Sequence, residues 1–337
     1  MKISDLGEFG LIDRIRKMLP GEVPGVIEGI GDDVAVLRGN GDKVWLVTCD
    51  VQMEGSHFLR DSVNPRDLGH KALAINLSDI AATGGTPSFA LISLGLPKDL
   101  PVAFIDELYA GLRAEAEASG TGIIGGNISG SRLGFFIDIF LLGEAPQQEV
   151  LLRSGAHPGD RVLVTGTLGD AAAGVAMCLD PNLATEDEYA WLVSQRFNLP
   201  TPRLREGRLI ASSRKATAML DISDGLAGDL GHICERSDVG VRVFADKLPV
   251  HVENRILSRK VHGNEWHLSI FGGEDYELLF TAPPEHADEV ARRIMTETQT
   301  PVAIIGEILP AAEGCQLILP DGMMKPLEAK AWDHLKE

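Results

Sequence analysis

Cysteine is scarce in this chain. The four residues, Cys49, Cys178, Cys234 and Cys315, form no CxxC pair and no Cys/His metal spacing, so reduced thiols in a cytoplasmic protein are the expectation. Positive charge is scarce as well: 31 Lys and Arg stand against 49 Asp and Glu, a formal net charge of −18. Nucleic acid and anionic membrane surfaces would both be repelled, and neither is expected as a partner. No stretch approaches the ~18 apolar residues of a membrane span, and the opening Met1-Lys2-Ile3-Ser4-Asp5 lacks an apolar signal core, which reads as soluble and unexported. There is no internal repeat, no GxxxxGK[ST] and no HRD and DFG pair. A kinase of this sequence belongs to neither common class.

What is present is acid beside small residues. Five clusters run from one end of the chain to the other: Gly31-Asp32-Asp33, Cys49-Asp50, Ser78-Asp79, Asp221-Ile222-Ser223-Asp224-Gly225 and Gly272-Gly273-Glu274-Asp275. Any one of them also suits a turn or a helix cap. As a set they suit hard cations, because Mg²⁺ binds through one or two carboxylates while substrate phosphates complete its shell. A magnesium-nucleotide enzyme follows, since so acidic a chain accepts ATP only with cations. The second-half cluster is not an EF-hand, whose acids alternate before the glycine.

At 337 residues the chain exceeds what one core usually serves, so two domains are expected. Strands alternate with helices. Lys43 to Thr48 is a strand that delivers Asp50 at its end. Asn64 caps and Pro65 opens a helix that Gly84-Gly85 stops. Asp79 falls in its last turns, where a carboxylate opposes the helix dipole at a cost of about 0.3–1 kcal/mol and calls for a compensating cation. Val102 to Ser119 is a second helix, closed by Gly120. Gly122 to Ile124 is a strand running into Gly125-Gly126-Asn127, where glycines let backbone approach a ligand. Phe135 to Leu142 is another strand. The polar stretch Gly143 to Gly159 marks the boundary between a domain 1–148 and a domain 149–337. Beyond it come strand Arg161 to Thr165, the turn Gly166 to Asp170 with an Ala-rich helix, strand Thr217 to Leu220, a helix from Leu226, an alternating strand Glu274 to Thr281, helix Pro284 to Thr298, and strands Val302 to Ile308 and Gln316 to Leu319. The Gly166 to Asp170 turn suits phosphate at a helix N-terminus or, better, ordinary strand-turn-helix packing.

The segments GIGDDVAV, TCDVQMEGSHF, KALAINLSDIAATGG, IIGGN, RSGAHPGD, DISDGLAGDLGHI and FGGEDYELLF occur in this order over nearly the whole chain. Together they closely resemble the thiamine-monophosphate kinase family, within the superfamily that includes aminoimidazole ribonucleotide synthetase. The resemblance implies a two-domain α/β plus α+β fold whose N-terminal strands pair across a homodimer into a barrel. It implies transfer of phosphate from ATP to thiamine monophosphate by direct in-line attack. Carried over by position, the magnesium ligands are Asp33, Thr48, Asp50, Asp79 and Asp224, with Asp221 close by; Asp33, Asp50, Asp79 and Asp224 are the catalytic acids. Nucleotide contacts fall on Gly126, Asn127, Arg153 and Ser223, with Tyr109 a further candidate. Substrate contacts fall on His57, Glu274 and Trp332. Read without the resemblance, His57 and Trp332 are of types more often found as packing residues, and Arg153 fits a solvated surface charge equally well.

Two positions depart from the family pattern. Asn127 stands where many relatives carry Asp; an amide binds a metal through its carbonyl but adds no charge. Cys49 stands where a hydroxyl residue is common, and its backbone carbonyl can still ligate. Among related activities, selenophosphate synthesis calls for a reactive Cys in an N-terminal glycine-rich segment, yet none precedes Cys49. The hydrogenase-maturation relative ends in a Cys-bearing tail, whereas this chain ends Trp332-Asp333-His334-Leu335-Lys336-Glu337. A purine-pathway cyclo-ligase is distinguished by its acceptor. A non-enzymatic Ca²⁺ module would keep its ligands in one local loop.

Overall fold

The computed structural model describes residues 2–19, 21, 23–183, 188–328 and 335. Helix α1 (Ile3–Met18) precedes β1 (Val26–Glu28), β2 (Ala35–Arg38), β3 (Lys43–Met53), α2 (Pro65–Ala82), β4 (Thr86–Leu96), α3 (Val102–Ser119), β5 (Gly122–Gly130) and β6 (Phe136–Pro146). These strands form a six-stranded sheet of order β1-β2-β3-β6-β4-β5, parallel only between β4 and β5. The start of α2 follows from its sequence: Asn64 Oδ1 accepts from Arg66 N at 2.9 Å and Pro65 fills the first turn. Its end does too, with Gly84 at φ 72°.

Helices α2 and α3 cover one face of the sheet, where Leu73, Leu77, Leu108 and Leu112 meet Leu46, Ile92, Ile137 and Ile139. Each fully buried side chain of this kind stabilises the fold by about 1.5–3 kcal/mol. The helices cross at glycines: a Cβ on Gly69 would stand 2.0 Å from the Leu108 carbonyl oxygen, and one on Gly111 1.9 Å from that of Arg66. The opposite face of the sheet leaves Val51, Met53, Phe89, Leu91 and Phe140 exposed. The sheet has open edges, and the described residues of one chain close no barrel.

The second half contributes β7 (Arg161–Thr165), α4 (Asp170–Leu179), α5 (Glu188–Asn198), α6 (Leu204–Ser213), β8 (Ala218–Asp221), α7 (Leu226–Ser237), β9 (Val239–Phe244), α8 (Val252–His262), α9 (His267–Phe271), β10 (Leu278–Ala282), α10 (Pro284–Thr298), β11 (Val302–Pro310), β12 (Cys315–Ile318) and β13 (Met324–Pro326). Its sheet runs β13-β12-β9-β11-β7-β10-β8. One side packs on α7 through Leu226, Leu230 and Ile233, the other on α6 and α10 through Ile210, Val290 and Ile294. Helix α2 belongs to both halves. Its last residues, Ala81 and Ala82, are buried among Met219, Phe280 and Ile294, and a Cβ on Gly207 of α6 would lie 2.2 Å from the Ala81 carbonyl oxygen.

Several elements differ from the sequence reading. Strand β10 starts at Leu278 and not at Glu274, because Glu274 and Tyr276 take left-handed φ values of 67° and 49°. Its five residues are all buried, as expected of a strand covered on both faces rather than one that alternates. Strand β5 continues to Gly130, held by its register with β4 and not by any side-chain pattern of its own. The sequence reading did not anticipate α1, β1, β2, β4, α5, α6, β9, α8, α9 or β13. The turn before α4 serves packing: the Asp275 carboxylate accepts from Gly169 N at 2.7 Å and occupies that helix start.

Candidate active site

The acids gather where α2 meets the second sheet. Asp79, in the last turns of α2, accepts a hydrogen bond from the Thr48 hydroxyl of β3 at 2.5 Å. Asn76, one turn earlier, donates to the Ala72 carbonyl at 3.0 Å and accepts from Asp50 N at 3.0 Å, which pins β3 at Asp50. Ser78 reaches the other way and donates to Asp221 Oδ2, at the end of β8. Three polar positions within four residues of an apolar helix stretch, Asn76, Ser78 and Asp79, therefore join both halves of the molecule.

Asp32 and Asp33 enter from the turn before β2. Arg153, in the segment between the two sheets, donates through Nε and Nη2 to Asp33 Oδ1 at 2.9 and 2.5 Å, and its backbone N–H donates to Asp32 Oδ2 at 3.1 Å. Asp33 Oδ2 is buried and, among the described residues, has no hydrogen-bond partner. On the far side, Asp229 in the first turn of α7 accepts from Asp224 N at 3.1 Å.

Carboxylates packed this closely hold their protons to higher pH than usual. Burial pushes the Asp79 carboxyl well above its usual range, and the charges of Asp50, Asp221 and Asp33 push it further. Burial, then Asp33, raises Asp221 to about 8; burial and Asp33 raise Asp32 to about 7. Asp33 is raised by burial against the pull of Arg153. Asp229 is raised by burial, Asp224 and Asp221. Burial disfavours the Arg153 charge, but Asp33 and Asp32 outweigh it and keep the guanidinium protonated.

This donor set fits a divalent cation. Asp33, Asp79 and Asp221 each offer an oxygen, all within 4.8 Å of one another. Opposite ligands of octahedral Mg²⁺, at about 2.1 Å each, stand about 4.2 Å apart. An all-oxygen set with one orphaned, buried carboxylate oxygen suits a hard cation, which would remove the repulsion that raises these groups.

Not every expected residue joins the cluster. Asn127 and Gly126 lie on β5, three strands from β3, which separates Asn127 from Asp50 by roughly 14 Å at the usual inter-strand spacing. Tyr109 is on the exposed side of α3. His57 follows β3 and accepts from Met53 N through Nδ1 at 3.0 Å. Cys49 alternates with Asp50, and its side chain lies on the exposed sheet face. Ser223 accepts from Glu274 N at 2.7 Å, which ties the second-half loops together. Trp332 lies outside the described residues. Sequence reasoning missed Lys71, Asn76 and Asp229. Lys71 and Asn76 carried a signal, as polar side chains in a helix otherwise filled with Ala, Leu and Ile; Asp229 reads as an ordinary first-turn acid.

Comparison with known proteins places the chain. Residues 31–145 match the family model of AIR synthase related protein, N-terminal domain, and residues 157–315 match the C-terminal domain model. The chain is 39% identical to a thiamine-monophosphate kinase of Aquifex aeolicus over 99% of this chain and 100% of that one. It is 38% identical to one from Salmonella typhimurium over 97% and 98%. The solved structure of AaThiL complexed with AMPPCP and TMP superposes with a TM-score of 0.85 at 38% identity, covering 99% of each chain. With its two mixed sheets and these full-length likenesses, the chain belongs to the thiamine-monophosphate kinases of the AIR synthase related family.

Proposed function

We propose that this protein transfers the terminal phosphoryl group of ATP to thiamine monophosphate, giving ADP and thiamine diphosphate. One observation carries the reading: Asp33, Asp79 and Asp221, from both halves of the chain, bring oxygens within 4.8 Å of one another, in a chain similar over its full length to proteins that carry this activity in their names. The structure of a relative complexed with AMPPCP and TMP supports binding of both a nucleotide and an acceptor phosphate.

Asp33, Asp79 and Asp221 would hold Mg²⁺, with Thr48, Asp50, Asp224, the Cys49 carbonyl and Asn127 completing the ligand shells. Bound Mg²⁺ supplies positive charge to phosphates that this acidic protein would otherwise repel. The chain's own task is positioning. Thr48 and Ser78 fix the carboxylates of Asp79 and Asp221, and Arg153 orients Asp33 while keeping Nη1 for a phosphate oxygen. Gly126, Ser223 and Tyr109 serve the nucleotide; His57, Glu274 and Trp332 serve the acceptor. An acceptor phosphate monoester already carries about −1.5 to −2 charge near neutral pH, so no strong base is required and no phosphoenzyme forms.

The same reading divides the chain at 148/149, supported by the irregular segment between β6 and β7. It makes the protein a homodimer whose first sheets pair into a barrel. Two features support that: the apolar outer face of the sheet, and the roughly 14 Å that separate Asn127 from Asp50 in one chain. A partner's β5 would supply the missing ligand. Free thiols at all four cysteines suit a reducing cytoplasm. ADP release in Mg²⁺ across a panel of phosphate monoesters tests the assignment. Thiamine monophosphate is the expected acceptor; release with an aminoimidazole precursor instead would overturn it.

A further inference from the structure

Lys71 sits in the middle of α2 with its side chain 5% exposed. Lysines are buried this deeply almost only when paired. Its ammonium meets Glu274 Oε2 and stands 3.8 Å from the centroid of the Phe197 ring on α5. Seven residues on, close to two helical turns and on the same face, Ser78 donates to Asp221. Through these two polar side chains helix α2 grips the second half. One orients a carboxylate of the metal cluster; the other holds the loop Gly272 to Tyr276.

That loop is in a conformation it would not keep unaided. Glu274 and Tyr276 are left-handed without being glycine, at φ 67° and 49°. Such residues persist where their surroundings over-determine them. Glu274 N donates to the Ser223 carbonyl at 2.7 Å and Tyr276 N to that of Ile222 at 2.8 Å. Among the described residues, the Glu274 side chain is engaged through Oε2, which leaves Oε1 to accept from an N–H donor on a bound molecule.

We propose that Lys71 is a positioning residue for the acceptor: acting through Glu274, it fixes the loop that receives the nitrogen-bearing organic end of the phosphate monoester. This rests on the reading of Glu274 as an acceptor contact. A merely structural Lys71 would alter both substrates' KM values alike or neither.

The test is steady-state kinetics on the full chain with ATP, Mg²⁺ and thiamine monophosphate, using Lys71→Met, Glu274→Gln and the double variant. Lys71→Met is expected to raise the acceptor KM about tenfold or more while the KM for ATP moves less than twofold, and Lys71→Arg is expected to recover part of the loss. Equal rises in both KM values, or none, would overturn the proposal. Removing one partner of a buried pair strands the other charge, which destabilises Lys71→Met; the double variant removes both charges. If Lys71 acts through Glu274, the double variant has the acceptor KM of Glu274→Gln alone. An additive increase in the double variant means that Lys71 acts independently, and the proposal fails with the Glu274 assignment intact. An unchanged acceptor KM in Glu274→Gln removes the Glu274 assignment itself, and the proposal with it.

Discussion

Asp79 shows at the scale of one residue how function and stability pull apart. Its folded pKa is raised above the unfolded value of 3.8, so the ionised form is disfavoured in the fold, and stability is lost as pH climbs past that value. Asp79→Asn removes the repulsion and keeps the shape. Without Mg²⁺ the variant is expected to melt at or above the temperature of the unaltered protein, while kcat falls at least ~10²-fold, the scale of losing one preorganised electrostatic group. Asp224→Asn should lose activity to a similar degree. Near-normal kcat in either folded variant would remove that residue from the site. Asn127→Asp adds a ligand charge at nearly constant shape, so the Mg²⁺ concentration for half-maximal rate should fall at fixed ATP. An unchanged or higher requirement would mean that Asn127 contacts nucleotide or acceptor.

At the scale of elements, the seam depends on contacts that tolerate little change. A Cβ on Gly273 would stand 2.3 Å from the Ser223 carbonyl oxygen, in the backbone pairing that holds the Glu274 loop. Gly273→Ala is expected to cost about 1–3 kcal/mol, read by urea unfolding, and to raise the acceptor KM. His70 on α2 makes a second link. Nδ1 faces Glu115 at 3.0 Å and Nε2 faces the Pro200 carbonyl at 2.9 Å. Both partners are acceptors, so both nitrogens must carry protons for the two bonds to form. Burial lowers the His70 pKa, but the Glu115 and Pro200 bonds outweigh it and the net shift is upward from 6.5. This stabilisation is full below pH 6.5 and is lost as pH rises through the folded pKa. Glu115→Gln should therefore destabilise the protein by about 1–2 kcal/mol at pH 5.5 and much less at pH 9, and an equal loss at both would refute the charged bridge.

The molecule as a whole carries the question of assembly. Leu91 and Phe140 are neighbours on the open face of the first sheet. The unaltered protein is expected to sediment at twice the 36.2 kDa of one chain, and Leu91→Asp with Phe140→Asp to sediment as a single chain with little activity. Mixing inactive Asp79→Asn with Gly126→Val gives a sharper check. A Cβ on Gly126 would meet the Ile92 carbonyl oxygen at 1.8 Å, so valine disrupts the β5 segment. If the site combines Asp79 of one copy with Gly126 of the other, mixed dimers regain one intact site. No recovery after subunit exchange would place the whole site within one chain.

Much of this was legible in the residues themselves. Local chemistry specified what depends on near neighbours: the Asn64 and Pro65 start of α2, the Gly120 stop of α3 and the acids beside small residues, whereas the strand read from Lys43 to Thr48 runs on through Asp50 to Met53, held by pairing with β6. The ordered motifs carried the family. What the chain order hides is which acids meet. Asp33, Asp79 and Asp221 are spread over most of the chain and converge only because α2 is shared by two sheets. The continuation of β5 from Gly125 to Gly130 and the left-handed loop at Glu274 escaped notice because their conformations are imposed by register with β4 and by contact with Ser223, not by local preference. The Lys71 pair and the distance between Asn127 and Asp50 likewise belong to tertiary structure. Short-range preference acts over a few residues, whereas burial, charge repulsion and strand order are set by packing between segments far apart in sequence.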